Sequence, residues 1–260
     1  MTVREAAVAG LFYESDSHQL RQHIYALLGT ASATIGCPAQ ALIVPHAGYV
    51  YSGQTAAAAY SMLAPLADSI KRVVLFGPAH RVTLQGMALP SVDHFATPLG
   101  NIPLDRDGIK RIEQLPGICV SDEAHRQEHS LEVQLPFLQT VLGSFSLVPI
   151  VVGHCAPQTV AAAMDALWGG PETLLVVSTD LSHFYPYEQA CERDARTCER
   201  IKAKDNTLTG QDACGAYAVN GLMSTEHCRS MSVQLIDMCN SGDTAGSRDR
   251  VVGYGAFILH

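Results

Sequence analysis

Short, uninterrupted apolar runs alternate along this chain with longer segments of mixed character. Residues 41–45 (ALIVP), 72–76 (RVVLF), 146–152 (SLVPIVV), 173–178 (TLLVVS) and 251–259 (VVGYGAFIL) are the apolar runs. Their length, and the lack of apolar/polar alternation within them, predicts strands buried on both faces of a sheet. Helical patterns fall between them, at residues 17–28, 53–64 with Ser52 as N-cap, and 130–142. Pro136 should kink or delimit the last of these. Further helices are predicted over 157–168, with Pro157 near its first position, over 187–203 and over 211–223. Strands alternating with helices predict an α/β fold, one domain over residues 1–260, with a mainly parallel or mixed central sheet flanked by helices.

Three of the predicted strands each end just before a histidine. His46 follows the first in VPHAGYVYSG, His80 follows the second in GPAH, and Asp180 and His183 follow the fourth in STDLSH. Ligands of open α/β sheets bind at the carboxyl ends of the strands, so the three histidines converge if their strands are parallel neighbours. Neutral imidazoles suit iron, copper or zinc, which makes His46 and His80 candidate metal ligands. Gly48 and Gly77 beside them would let a bound molecule approach the backbone closely. Asp180 is placed to cap or orient and His183 to act as acid or base; a plain N-cap cluster of Ser178, Thr179 and Asp180 reads equally well. Glu128 and His129 form a further pair just ahead of the 130–142 helix, where a solvated helix start is the alternative.

Composition narrows the function classes. The 260 residues are 47% hydrophobic and 16% charged with a formal net charge of −8, and lysine and arginine are scattered. Nucleic acid is therefore not an expected partner, and no apolar run is long enough to span a membrane. The first residues, MTVREAAVAGLFYESD, lack the pattern of a secretory signal, so a cytoplasmic location is expected. The eight cysteines contain no CxxC pair and are expected to be reduced thiols, mostly small core residues. Cys214, in DACGAYAV, stands out because the start of a helix there would favour the thiolate.

The segments AVAGLFYESD, VPHAGYVYSG, LFGPAH, EHSLEVQLPFL, STDLSHF and DACG, in this order and over nearly the whole chain, resemble the MEMO family, known in bacteria and archaea as AmmeMemoRadiSam system protein B. That family resembles in turn the class III extradiol, LigB-like, non-haem iron dioxygenases. The resemblance implies a LigB-like fold with a metal site at the strand ends. It implies His46, His80 and Cys214 as metal ligands, with the thiolate standing where the dioxygenases use a carboxylate. It also implies His183 as the acid/base residue and His129 as a second active-site histidine facing substrate. Other members commonly read HH where this chain has Ala79-His80, and a Gly-Pro or His-Pro element where it has AYAVNG after the CG dipeptide.

Two imidazoles and a thiolate would hold Fe(II) and also accept copper or zinc. The expected function is a dioxygenase-like, non-haem iron oxidoreductase acting on a small molecule. The alternative is a metal-binding or interaction protein without turnover, and a zinc hydrolase using Asp180 or Glu128 is a third reading. The family name also suggests partnership with a radical SAM protein and an AMMECR-type protein.

Overall fold

The computed structural model describes residues 2–31 and 39–260. The strands, in chain order, are β1 (Val3–Arg4), β2 (Ala41–Val44), β3 (Arg72–Pro78), β4 (Met87–Leu89), β5 (His94–Thr97), β6 (Gly100–Pro103), β7 (Ile118–Val120), β8 (Ser146–Val152), β9 (Thr173–Ser178), β10 (His183–Tyr185), β11 (Val233–Asn240) and β12 (Val251–Leu259). The helices are α1 (Ser17–Thr30), α2 (Tyr49–Ser61), α3 (Arg106–Ile112), α4 (Asp122–Arg126), α5 (His129–Glu132), α6 (Leu135–Leu142), α7 (Pro157–Leu167), α8 (Tyr187–Lys202), α9 (Ala216–Ser224) and α10 (Glu226–Ser230), with a 3₁₀ turn at Ala64–Leu66.

Nine strands form one mixed sheet in the order β10-β12-β2-β9-β3-β8-β4-β7, with β11 paired to β12. All five predicted strands lie in it. β2, β9, β3 and β8 run parallel side by side, and every residue of β2 and β9 is buried. This is the double burial that uninterrupted apolar runs announce. β12 closes antiparallel onto β2. A separate three-stranded sheet, β1-β5-β6, was not foreseen. Its strands are two to four residues long, too short to show a period.

Three helix boundaries differ from expectation. α2 begins at Tyr49, with Gly48 at the cap position and no side-chain cap; Ser52 lies inside the helix and donates to the Ala47 carbonyl instead. The loop carrying His46 is therefore only four residues long. The expected helix 130–142 is two helices, because Pro136 lacks an N–H and stands in the first turn of α6. α9 starts at Ala216, so Cys214 precedes the helix rather than lying in its first turn.

Cys119, Cys155, Cys191, Cys198, Cys214, Cys228 and Cys239 are all free thiols; Cys37 lies outside the described residues. No helix among the described residues is long and apolar enough to cross a membrane.

The N-terminal segment is anchored from beneath the site. Buried Glu132 accepts from the guanidinium of Arg4, from the backbone N–H groups of Ala7 and Val8, and from the Tyr13 hydroxyl. Four donors on one buried carboxylate make its burial tolerable. They also fasten the 4–13 segment, including Phe12, over α5.

Candidate metal centre

β9 lies between β2 and β3, so the three histidine-bearing strand ends are adjacent and parallel. His46 and His80 converge there as expected, while the third ring of the cluster is His129 rather than His183. The rings of His46 and His80 lie 5.2 Å apart between centroids, His46 and His129 5.4 Å, and His80 and His129 4.6 Å. One nitrogen from each of the three comes within 4.8 Å of the others. Three imidazoles in such a triangle could hold a metal ion.

This corrects the expected donor set. His46 and His80 are brought together as foreseen, but the third vertex is His129, not Cys214. The Cys214 sulfur lies beside one corner, 3.3 Å from His46 Nε2. Its thiol is pushed up to about 12, first by burial and then by neighbouring Asp180. The thiolate bias expected from a helix start is not met, because the half-buried residue precedes the helix and lies beside Asp180.

The protonation of two rings follows from their partners. Ser178 Oγ donates its single proton to the Ser130 carbonyl, 2.6 Å away, and accepts from the Gln134 amide at 2.8 Å. The Gln134 orientation is fixed in turn, since its amide nitrogen also donates to the Pro45 carbonyl and its oxygen accepts from Tyr60. With its proton committed, Ser178 Oγ can only accept from His46 Nδ1, at 2.8 Å. His46 thus carries its proton on Nδ1 and presents the Nε2 lone pair. His80 does the same: Nδ1–H donates to Glu128 Oε1 at 2.9 Å, and its backbone N–H donates to Glu128 Oε2 at 2.6 Å. A carboxylate behind a ligating histidine fixes its tautomer and raises its basicity.

Glu128 is buried, and burial alone would raise its pKa. Hydrogen bonds from His80 and Ser130 outweigh that and bring it down to about 2. It also caps α5 by accepting from the Ser130 N–H. It is thus a site residue and not the solvated helix start that local sequence allows. Its double role depends on a contact 48 residues away, which no local pattern displays.

His129 has a buried Nδ1 with no hydrogen-bond partner among the described residues, 3.4 Å from Glu128 Oε1. Burial and the two neighbouring imidazoles lower it to about 4. His46 is held well below its ordinary range by burial and by His80. Neutral rings, one with an orphaned polar nitrogen, fit a cation better than they fit one another.

Gly77 makes the triangle possible. A Cβ there would stand 2.7 Å from Ser130 Oγ and 2.9 Å from Leu131 Cδ2. The close approach is that of α5, the helix bearing His129, and not the bound molecule anticipated from the sequence. Gly215 serves the same end beside Cys214, where a Cβ would meet Thr179 and the Ser178 carbonyl.

Asp180 accepts from the His46 backbone N–H at 2.8 Å, which locks the loop, and burial raises its pKa. His183 Nδ1 lies 2.9 Å from the Leu181 carbonyl. A carbonyl only accepts, so the proton is on Nδ1 and Nε2 is a lone pair. Asp180, His129 and His183 line one cavity of about 380 Å³, together with Phe12, Tyr51 and Tyr254. Tyr49 is a packing residue whose hydroxyl donates to the Val133 carbonyl.

Comparison with known proteins identifies the lineage. The Memo-like protein family matches residues 4–258. The chain belongs to the Memo-like family. The MEMO1 family protein of Aquifex aeolicus is 35% identical over 275 residues, covering 100% of both chains. That of Ignicoccus hospitalis is 34% identical over 283 residues with 98% of each covered, and that of Methanopyrus kandleri 32% over 285 residues, also with 98% of each. An uncharacterized protein from Escherichia coli shares the Memo-like chain's fold in a crystal structure, with a TM-score of 0.51 and 11% identity, covering 85% of this chain and 99% of that one.

Proposed function

We propose that this Memo-like protein is a metal-dependent, dioxygenase-like oxidoreductase that holds Fe(II) on His46, His80 and His129, with the Cys214 sulfur as an adjacent donor. The observation that carries the proposal is the pair of buried relays, Ser178 to His46 and Glu128 to His80. Both fix Nδ1 as the protonated nitrogen and leave Nε2 with the lone pair, that of His46 facing the Cys214 sulfur at 3.3 Å. Imidazole sets of this kind suit iron, copper and zinc; a neighbouring thiol softens the site toward Fe(II) and Cu(I). Once bound, such an ion supplies Lewis-acid and redox chemistry.

The protein's own groups have distinct roles. His183 offers Nε2 to the cavity as a base, and its Nδ1–H, held by the Leu181 carbonyl, keeps the ring oriented. Asp180 secures the His46 loop and lines the cavity together with His183. Phe12, packed against His129 at 4.8 Å between centroids, shields that side of the triangle from water. A base beyond the ligands favours an enzyme over a metal carrier, which needs ligands only.

Anaerobic Fe(II) titration of wild type, His129→Ala and Cys214→Ser tests the donor set. The expected result is one iron per chain in wild type, lost in His129→Ala and weakened in Cys214→Ser. Full binding in His129→Ala with loss in Cys214→Ser would replace the triangle with two imidazoles and a thiolate. No iron, copper or zinc binding in wild type would overturn the proposal.

A further inference from the structure

The cavity beside the three histidines has one feature that metal binding does not require. Arg250 is the only lysine or arginine among its lining residues, and it has no carboxylate partner among the described residues. Its guanidinium lies over the ring of Phe184, 4.9 Å from the centroid. Phe184 is itself unusual: its ring is exposed and its φ is +65°. A bulky residue in the left-handed region is strained. The strain falls where β10 pairs irregularly with β12, between His183 and Tyr185. The ring so presented stands edge-on to His183, 5.7 Å between centroids, and supports the arginine from below.

We infer that Arg250, parked on Phe184, recognises an anionic group of the substrate, and that the substrate is an aromatic carboxylic acid. This rests on reading the cavity as the substrate site. The remaining lining fits the class. Tyr51, Tyr254 and Phe12 offer flat apolar faces for a ring. The planar guanidinium matches a carboxylate through paired N–H donors, and its stacking on Phe184 restricts it without neutralising it. In a chain of net charge −8, Arg250 is a cation in a cavity whose lining also includes Asp180. A ring with its carboxylate at Arg250 would lie in the same cavity as His129 and His183. The volume of about 380 Å³ is within the range of small-molecule sites.

The test compares 4-hydroxybenzoate with 4-hydroxybenzamide, which share shape but not charge, by ligand-observed NMR titration of the full chain with and without Fe(II). Wild type should prefer the acid by about fivefold, as one exposed charge pair near the upper end of its range provides. Arg250→Gln should abolish the preference, and Arg250→Lys should keep part of it. Equal affinities in wild type, no binding of either probe, or a preference that survives Arg250→Gln would overturn the inference. Displacement of the acid by equimolar inorganic phosphate would overturn the aromatic part and indicate a phosphate ligand. Iron binding is scored separately. Intact iron binding without acid preference defeats only this inference, and acid preference without iron binding defeats only the proposed metal function.

Discussion

Replacing Glu128 by glutamine changes one atom and removes one charge at the point where two of the three imidazoles are held. The carboxylate accepts from His80 Nδ1, the His80 backbone N–H and the Ser130 N–H, and approaches His129 Nδ1 at 3.4 Å. A glutamine can put its oxygen where Oε1 now lies, but its NH₂ then faces the His80 backbone N–H, donor against donor. One buried donor without a partner costs about 1–3 kcal/mol. The same lost interactions can also be sized from the charge. The carboxyl falls from its ordinary 4.5 to about 2 in the folded protein, which corresponds to about 3 kcal/mol of stability. Because the folded value is depressed, that contribution is present above pH 4.5 and is lost as the pH falls toward 2.

Two measurements follow for Glu128→Gln. Urea unfolding of chelator-treated protein should show a loss of about 2–3 kcal/mol at pH 7, with a flatter decline than wild type between pH 4.5 and 2. Anaerobic Fe(II) titration should show affinity reduced about 10–100-fold, as when a carboxylate behind a ligating histidine is removed. Wild-type iron affinity together with a wild-type acid limb would refute the assignment of Glu128 as the residue that orients His80.

Ser178→Ala should leave His46 Nδ1–H, the Ser130 carbonyl and one Gln134 N–H without the partner they share; denaturant unfolding should show a loss of at least about 2 kcal/mol, and iron titration a weakened site. Gly77→Ala forces a methyl to 2.7 Å from Ser130 Oγ and should destabilise by about 1–3 kcal/mol, read by thermal unfolding alongside iron stoichiometry. His183→Ala should keep wild-type iron content by anaerobic metal analysis, since the ring stands outside the triangle, while any turnover found falls by about 10²–10⁴.

The sheet and half of the site were legible in the sequence for one reason. A strand buried on both faces must be apolar throughout, and such a strand in an α/β fold delivers whatever follows it to one edge. His46, His80 and His183 could be read that way because each follows such a run directly. β11 could not, since its burial alternates only loosely and it covers one edge of the sheet beside β12. His129 and Glu128 escaped the rule as well, because they arrive on a helix start that Gly77 admits by lacking a side chain. Cys214 was misplaced through its helix: small residues from 211 onward fit a helical pattern, but the backbone at Cys214 is held by the Asp180 carbonyl and turns helical only after Gly215. The residues that set the chemistry of the imidazoles, Ser178, Gln134 and Glu128, are ordinary polar positions in sequence. Their meaning lies in which lone pair faces which proton, and that is fixed only once β2, β9 and α5 have packed together. Strand ends therefore reveal candidate imidazole ligands but not the groups that fix their tautomers, and variants at Ser178 and Glu128 probe the part of the site that sequence pattern cannot show.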